Sequence, residues 1–221
     1  MKNYIIASIG EWNKSIYQDN LKKLSGKWHY VSNQKKLLIK IKKVKPDKIF
    51  FIHWRWIIKK DIYQKYECIC FHMTSLPYGR GGSPLQNLII RGKKHTQICA
   101  FKINDILDGG PIYLRKKMSL KGNALEIYIR CTIISFKMVK KIIKDGINPI
   151  AQKGKVVIFK RRKPNESEIS KNFSKKKIFD YVRMLDAPGY PNAYIKFGKH
   201  KISLRNAKFK GNKISFEGNI E

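Results

Sequence analysis

Acidic residues are scarce in this sequence. Only 15 of the 221 residues are Asp or Glu, against 48 Lys or Arg, so the formal net charge at pH 7 is +33. An excess of this size favours a polyanionic partner, such as a nucleic acid, a membrane surface or a phosphate group. The basic residues form no single block, however, and Lys, Ile and Asn are frequent throughout, as an AT-rich coding bias would produce. We therefore attribute the charge to that bias and expect neither a nucleic acid nor a membrane as the partner.

Long apolar runs and a secretion leader are also missing. No stretch approaches the roughly 20 apolar residues that a membrane-spanning helix requires. The first residues, MKNYIIASIGEW, lack the apolar run and the cleavage site of a signal peptide. The four cysteines lack the paired spacing of metal ligands, so we expect them to bind no metal, and without a secretion signal we expect them to stay reduced; they are Cys68, Cys70, Cys99 and Cys131. Together these absences predict a cytoplasmic protein.

Apolar runs alternate with amphipathic segments along the first 160 residues. This alternation predicts an α/β fold, here a Rossmann-like catalytic domain over residues 1–160 whose mostly parallel sheet is covered on both faces. Residues 161–221 contain short apolar runs bounded by Pro and Gly, and they predict a small C-terminal subdomain with short antiparallel strands. The main predicted strands are Tyr4–Ser8, Lys27–Val31, Lys48–His53, Glu67–His72, Thr96–Ile103, Ile112–Met118, Val156–Phe159, Tyr194–Phe197, Lys201–Leu204 and Lys213–Phe216.

Several common catalytic and phosphate-binding motifs are absent. The residues after the first strand, SIGEW (8–12), do not form a G-x-G-x-x-G sequence, and the chain has no P-loop or nucleophile elbow. What remains is His72, at the carboxyl end of the fourth strand, where open α/β sheets bind ligands. The segment after it, Met73–Pro84, is rich in Pro and Gly, is predicted to be irregular, and lets backbone approach a ligand closely. The alternative is a half-buried histidine beside an ordinary surface loop.

Two segments carry a family resemblance. FHMTSLPYGRGGSP (71–84) and ILDGGPIY (106–113) resemble the folate-dependent formyltransferases, which include methionyl-tRNA, glycinamide ribonucleotide and sugar-nucleotide formyltransferases. The resemblance implies an enzyme that moves a formyl group from 10-formyltetrahydrofolate, as co-substrate, to an amine. It further implies that His72 exchanges protons with the attacking nitrogen, while Asp108 orients the imidazole and favours its charged form. Asp105 is a competing acid that matches the motif less well.

Cys70 departs from the family pattern. In these formyltransferases an asparagine that stabilises the oxyanion stands two residues before the histidine, and Cys70 occupies that place. A thiol is a weak donor and does not replace a carboxamide in an oxyanion hole. Either protonated His72 and a backbone N–H stabilise the oxyanion, or the rate is reduced, or catalysis has been lost. We do not expect Cys70 to act as a nucleophile, because the family needs no covalent intermediate.

The resemblance also implies two segments that contact the folate. The first is Trp54, Arg55 and Trp56, whose two indoles suit a flat pterin ring. A buried aromatic pair with no ligand is the alternative for these tryptophans. The second segment is Asn104, Asp105, Ile106 and Leu107, which leads to Asp108.

The acceptor of the formyl group is indicated by further resemblances in the sequence. FKRRKP (159–164) and RMLDAPGYPNAYI (183–195) resemble the tail of sugar-nucleotide N-formyltransferases, and HMTSLPYGRGGSPLQN resembles those of the pseudaminic acid pathway, which act on a UDP-linked 4-amino-4,6-dideoxy sugar. We therefore expect a nucleotide-sugar substrate. The implied substrate-binding residues are Lys160, Arg161, Arg162 and Tyr190, with Arg80 as the alternative phosphate site. A solvated turn is the alternative for the basic cluster, and the competing functions are formylation of an aminoacyl-tRNA and non-enzymatic nucleic-acid binding.

Overall fold

The computed structural model describes all 221 residues, Met1–Glu221. Eleven strands and six α-helices follow one another along the chain. Their bounds are β1 Asn3–Ser8, α1 Glu11–Asn20, β2 Lys27–Val31, α2 Gln34–Val44, β3 Lys48–Ile52, α3 Lys60–Tyr63, β4 Glu67–His72, β5 Tyr78–Gly81, α4 Pro84–Ile90, β6 His95–Lys102, β7 Ile112–Ser119, α5 Ala124–Asp145, β8 Val157–Phe159, α6 Lys175–Leu185, β9 Ala193–Phe197, β10 His200–Lys210 and β11 Lys213–Ile220. A 3₁₀ turn, Pro164–Ser167, precedes α6.

The chain forms two compact units, each built from three segments. The first unit comprises Met1–Gly81, Thr96–Met118 and Tyr128–Ile158. The second comprises Gly82–His95, Ser119–Ile127 and Phe159–Glu221. It therefore includes helix α4, which the sequence-based boundary between residues 160 and 161 assigns to the N-terminal domain. None of the helices combines the length and the apolar composition that crossing a bilayer requires. The cytoplasmic location expected from the sequence stays a prediction.

A six-stranded sheet organises the first unit. Its strand order is β2-β1-β3-β4-β6-β7, with β1 parallel to β2 and β3, β3 parallel to β4, and β4 antiparallel to β6. The central strands are nearly continuous apolar runs, such as the fully buried IFFI of β3, as expected for strands covered on both faces. The α/β fold with a mostly parallel sheet is therefore confirmed.

The segment after β4 is more regular than its composition predicts. Tyr78–Gly81 forms strand β5, which pairs with β8 in a separate two-stranded sheet. The prediction that the whole of Met73–Pro84 is irregular is therefore wrong at this strand. Gly and Pro indicate turns locally, but β5 is stabilised by a partner strand almost eighty residues later, which the local pattern does not reveal.

The second unit carries the predicted antiparallel strands. β9, β10 and β11 form a three-stranded sheet with β10 in the centre, and a register shift interrupts the β10–β11 pairing between Arg205 and Lys208. Helix α6 packs against it through contacts such as that between the rings of Phe179 and Phe209, whose centroids are 4.8 Å apart. The strands β10 and β11 extend well beyond their predicted ends, because the added residues, RNAKFK (205–210) and EGNI (217–220), are mostly polar and do not form the apolar run that marks a strand.

Candidate active site

His72 is the last residue of strand β4, in the middle of the six-stranded sheet. Because side chains alternate along a strand, Cys68, Cys70 and His72 share one face of the sheet. The histidine is only 8% exposed. Its ring nitrogens are therefore shielded from water and interact with groups of the protein. It stands at the carboxyl end of the parallel strand, the edge where ligands bind in sheets of this type.

The two ring nitrogens of His72 have different partners. Nε2 lies 2.8 Å from the carbonyl oxygen of Gly79, and a carbonyl oxygen only accepts, so Nε2 carries a hydrogen. Nδ1 lies 3.8 Å from Oδ2 of Asp108, beyond hydrogen-bond distance but within range of ion pairing once Nδ1 is protonated. This arrangement leaves Nδ1 as the nitrogen that gains and loses a proton.

Asp108 is held in place by the loop around it. Its Oδ2 accepts a hydrogen bond of 2.8 Å from the backbone N–H of Gly81. Its backbone adopts the left-handed conformation, with φ +49°, which Asp tolerates better than most residues. Two residues later, a Cβ on Gly110 would lie 1.7 Å from the carbonyl oxygen of Lys102, so only glycine fits. The left-handed backbone at Asp108 and the glycine at position 110 form a tight turn, which places the Asp108 carboxylate next to His72.

The competing acid, Asp105, is engaged elsewhere. It is exposed and accepts a 2.8 Å hydrogen bond from the hydroxyl of Tyr63, and Lys60 pairs with it at 3.4 Å. The hydrogen bond from Tyr63, followed by the interactions with Lys60, lowers the pKa of the Asp105 carboxyl. Asp108 and not Asp105 is therefore the acid that the structure places beside His72.

Cys70 lies in apolar surroundings. It packs against two clusters of buried side chains, one that includes Phe51 and Cys68 and one that includes Cys99 and Phe101. Burial first, and then the charge of Asp108, raises the pKa of the Cys70 thiol. The sulfur is therefore a neutral thiol at pH 7, which is a poor nucleophile and a poor metal ligand.

Replacing Cys70 by alanine is expected to change kcat less than about threefold, because a neutral thiol takes no covalent part and donates only a weak hydrogen bond. Steady-state kinetics of formyl transfer at pH 7 measures this, with thermal unfolding as the control for the small cavity. A loss of a hundredfold or more in a folded variant would mean that the sulfur itself takes part in the reaction.

The first segment expected to contact folate follows β3 directly. Trp54 packs edge-on against Phe51 at 5.8 Å between ring centroids, and Trp56 packs edge-on against Trp54 at 4.7 Å. The exposed Arg55 places its guanidinium 5.7 Å from the Trp56 ring. The two indoles contact each other, so a flat ring does not fit between them. The indole N–H of Trp54 is buried without a partner, and a buried donor of this kind suits a ligand with acceptor atoms.

The second expected segment leads to Asp108. The side chain of Asn104 accepts a 3.1 Å hydrogen bond from the backbone N–H of Ile106 and so shapes the turn. The next two side chains, Ile106 and Leu107, are apolar and are 58% and 61% exposed. The turn therefore presents apolar side chains to solvent next to Asp108.

Gln152 is a site residue that the sequence did not reveal. Its Oε1 accepts hydrogen bonds from Nε and Nη2 of Arg80, at 3.2 and 2.8 Å. Its Nε2 donates to the carbonyl oxygens of Asp108 and Gly110, both at 2.8 Å. Arg80, expected to bind substrate phosphate, is therefore tied to the loop that carries Asp108. No motif marks Gln152, because its partners lie far away in the chain.

His53, between β3 and Trp54, is a second residue that sequence reasoning missed. Its Nε2 lies 3.1 Å from the carbonyl oxygen of Tyr128 and 3.0 Å from the hydroxyl of Thr132, both on α5. Burial lowers the pKa of His53 to about 4, although the bond to Tyr128 opposes this. A neutral imidazole therefore fixes the start of the Trp54 segment against α5.

The lowered pKa of His53 makes the stability of the protein depend on pH. Between pH 4 and pH 6.5 the unfolded chain binds a proton at His53 that the folded chain excludes. The contribution of His53 to the free energy of unfolding is therefore complete above pH 6.5 and is lost as the pH falls. We expect the free energy of unfolding to decrease by roughly 2 kcal/mol between pH 7 and pH 5. Urea denaturation at the two pH values, compared with His53→Asn, measures it. An equal pH dependence in both proteins would contradict the assignment.

The basic cluster lies in the second unit, and its side chains differ in their surroundings. Lys160 and Arg161 are exposed, but the backbone N–H of Arg162 donates to Ser83 at 3.0 Å and its guanidinium donates to the carbonyl oxygen of Glu166. The same guanidinium lies 5.4 Å from the Tyr181 ring. The guanidinium of Arg162 is therefore partly engaged within the protein, while its Nε is buried without a partner. Tyr190 is partly buried, and its backbone N–H donates to Ala187.

Comparisons with known proteins agree on one family. A family model described as "Formyl transferase" matches residues 19–125, and one described as "Methionyl-tRNA formyltransferase, C-terminal domain" matches residues 164–220. The solved structure of a methionyl-tRNA formyltransferase from Clostridium thermocellum is 41% identical in sequence, with a TM-score of 0.97. That similarity covers 100% of this chain and 99% of the other.

Other relatives are more distant. A methionyl-tRNA formyltransferase from Thermodesulfovibrio yellowstonii is 30% identical over 152 residues, which cover 65% of this chain and 49% of that protein. The chain therefore spans about half the length of this curated relative. A 4-N formyltransferase from Francisella tularensis has a TM-score of 0.73 at 16% identity, covering 95% of this chain and 98% of the other; this likeness is one of fold alone.

Proposed function

The chain belongs to the formyltransferase family, and we propose that it transfers the formyl group of 10-formyltetrahydrofolate to the amino group of methionyl-tRNA. The observation that carries the proposal is the likeness over essentially the whole chain, at 41% identity, to a methionyl-tRNA formyltransferase of the same length. The family resemblance inferred from residues 71–84 and 106–113 is thereby confirmed.

The nucleotide-sugar acceptor expected from the sequence is wrong, and with it the expectation that nucleic acid is not a partner. Relatives at 28%, 30% and 41% identity are methionyl-tRNA formyltransferases, whereas a 4-N formyltransferase shares the fold at only 16% identity. The tail segments at 159–164 and 183–195 resemble the sugar enzymes, but part of the Arg162 guanidinium is engaged with Tyr181 and Glu166.

The geometry at His72 supports a proton transfer during the reaction. When bound, 10-formyltetrahydrofolate supplies an activated formyl group. As the acceptor nitrogen bonds to the formyl carbon, Nδ1 of His72 takes up the proton that this nitrogen loses, and it then returns the proton to the nitrogen that leaves. Asp108, 3.8 Å away, stabilises the imidazolium in between without binding the neutral ring. The hydrogen bond to Gly79 keeps the ring from turning.

The first unit has residues that fit the folate. Trp54 offers a buried N–H donor without a partner, and the turn at residues 104–108 offers exposed apolar side chains beside the catalytic acid. A ligand with both a polar heteroaromatic ring and apolar surface matches these two features. Trp54, Ile106 and Leu107 are therefore the residues that we propose to hold the folate.

The second unit supports an RNA acceptor through its charge. Residues 187–216 contain seven Lys or Arg residues and no Asp or Glu. Across the three-stranded sheet, Lys196 lies opposite Lys201 and Lys210 lies opposite Lys213. Glu168 and Glu221 pair with Lys196 and Lys201. Like charges directly opposite each other destabilise a sheet, and RNA phosphates would offset that cost.

We refer to Lys208, Lys210 and Lys213 as the hairpin lysines.

Binding of methionyl-tRNA tests this part of the proposal. Replacing the three hairpin lysines by glutamate is expected to raise the Kd by about tenfold or more and to reduce the salt dependence of binding, because each lost phosphate contact removes about one unit of slope. The matched control replaces the exposed lysines of α2, Lys35, Lys42 and Lys43, by glutamate and changes the net charge equally. An equal rise in the Kd for methionyl-tRNA in both variants would show that the hairpin lysines do not form a specific RNA-binding surface.

A further inference from the structure

We propose that Gln152 is a positioning residue for the formyl transfer, which sets the Asp108 carboxylate relative to His72 by holding the backbone of its loop. The inference rests on the proposed function for its kinetic consequence, but its structural part concerns the loop alone. We refer to residues 104–111, between β6 and β7, as the aspartate loop.

The side-chain amide of Gln152 joins two structures that carry catalytic contacts. Its two N–H hydrogens go to the carbonyl oxygens of Asp108 and Gly110, at 2.8 Å each. Its oxygen accepts two hydrogen bonds from Arg80, the residue before Gly81, whose N–H binds the Asp108 carboxylate. Both hydrogens and both lone pairs of the amide are used, so the network is fully satisfied.

The aspartate loop needs such support because its conformation is unfavourable. Asp108 has φ +49°, a region that costs a residue with a Cβ more than an ordinary conformation does. Gly110 lies so close to Lys102 that no side chain fits. The carbonyl groups of Asp108 and Gly110 converge on one point, and Gln152 occupies that point with two donors. Without it, the two carbonyl oxygens would lose their partner and the loop would relax toward other conformations.

The chemistry of the position requires an amide of this length. Glutamate has the same shape and would keep the contact with Arg80, but it would place a carboxylate oxygen against two carbonyl oxygens. Asparagine is one methylene shorter and does not reach both sides. Gln152→Glu therefore breaks the bonds to the aspartate loop and leaves the bonds to Arg80, which separates the two functions of the side chain.

A double-mutant cycle tests whether Gln152 acts through Asp108. We expect Gln152→Glu to lower kcat by about 10- to 100-fold in the wild-type background and by less than about twofold in the Asp108→Ala background, because coupled residues are not additive. Hydrogen exchange supplies a readout without substrate. The backbone amides of the aspartate loop are expected to exchange at least about tenfold faster in Gln152→Glu, since local opening sets the rate.

Two further variants complete the test. Gln97→Glu makes the same chemical change on β6 outside this network and is expected to leave kcat and the exchange of the aspartate loop unchanged. Gln152→Met keeps the length but loses the bonds to the aspartate loop and to Arg80 together, so it tests the whole amide if the glutamate variant does not fold. Equal losses of kcat in both Asp108 backgrounds, or unchanged exchange in the loop, would overturn the inference. A wild-type protein without formyl transfer would instead reject the proposed function, while the exchange data would still decide the role of Gln152.

Discussion

His72→Asn is expected to lower kcat for formyl transfer by about 10²- to 10⁴-fold, the range that a positioned general acid–base contributes. In the structure Nε2 is committed to the carbonyl oxygen of Gly79, and Nδ1 is the nitrogen that can take up a proton. An asparagine side chain retains a donor for Gly79 but has no group that accepts a proton near neutral pH. Binding of folate is expected to survive, because Trp54 and the aspartate loop are untouched.

The measurement is single-turnover formyl transfer, with folate binding followed by quenching of tryptophan fluorescence. The variant Gln97→Glu, on β6, serves as a folding control that changes a partly buried side chain outside the candidate active site. A His72→Asn protein that folds, binds folate and keeps a near-wild-type kcat would show that His72 does not transfer the proton.

Asp108→Asn is expected to lower kcat by about 10²-fold. The carboxylate oxygen that faces Nδ1 also accepts the N–H of Gly81. If the amide oxygen takes this position, the imidazolium loses its counter-charge, and if the amide nitrogen takes it, two donors confront each other. A comparable change beside a directly hydrogen-bonded catalytic histidine costs about 10⁴-fold. We expect a smaller loss here, because 3.8 Å exceeds hydrogen-bond distance.

Asp105→Asn is the matched control for this prediction. It lies three residues earlier in the same loop and makes the same chemical change, but its carboxylate contacts Tyr63 and Lys60. We expect its kcat to stay within about threefold of the wild type, because exposed ion pairs contribute little. If Asp105→Asn lost as much kcat as Asp108→Asn, the loss would come from disturbing the loop as a whole and not from removing the carboxylate beside His72.

The sequence predicts the parts of the site that depend on local pattern. The buried strand Glu67–His72 follows from its apolar run, and the resemblance to formyltransferases drew attention to His72 and Asp108, which the fold brings within 3.8 Å. Gln152 and His53 were missed because their roles come from partners 42 to 79 residues away. No local pattern encodes such contacts. The same holds for β5, whose pairing with β8 is not local.

The acceptor was predicted wrongly for a physical reason. The motif around His72 and Asp108 reflects the chemistry of formyl transfer, which is common to acceptors as different as sugars and aminoacyl-tRNA, so it does not distinguish among them. The side chains of KRRK (160–163) suggested a phosphate clamp, but a cluster in sequence need not be a cluster in space. The lysines that lie opposite each other, such as Lys210 and Lys213, become neighbours only when β10 and β11 pair.

One assay distinguishes methionyl-tRNA from a nucleotide sugar as the acceptor. The protein is incubated with 10-formyltetrahydrofolate and, in parallel, with methionyl-tRNA, uncharged tRNA or a UDP-linked 4-amino-4,6-dideoxy sugar, and each acceptor is analysed by mass spectrometry. We predict that a formyl group appears on the methionine amino group of methionyl-tRNA and that its amount falls by at least about 10²-fold with His72→Asn. A formyl group on the nucleotide sugar, with methionyl-tRNA unchanged, would show that methionyl-tRNA is not the acceptor.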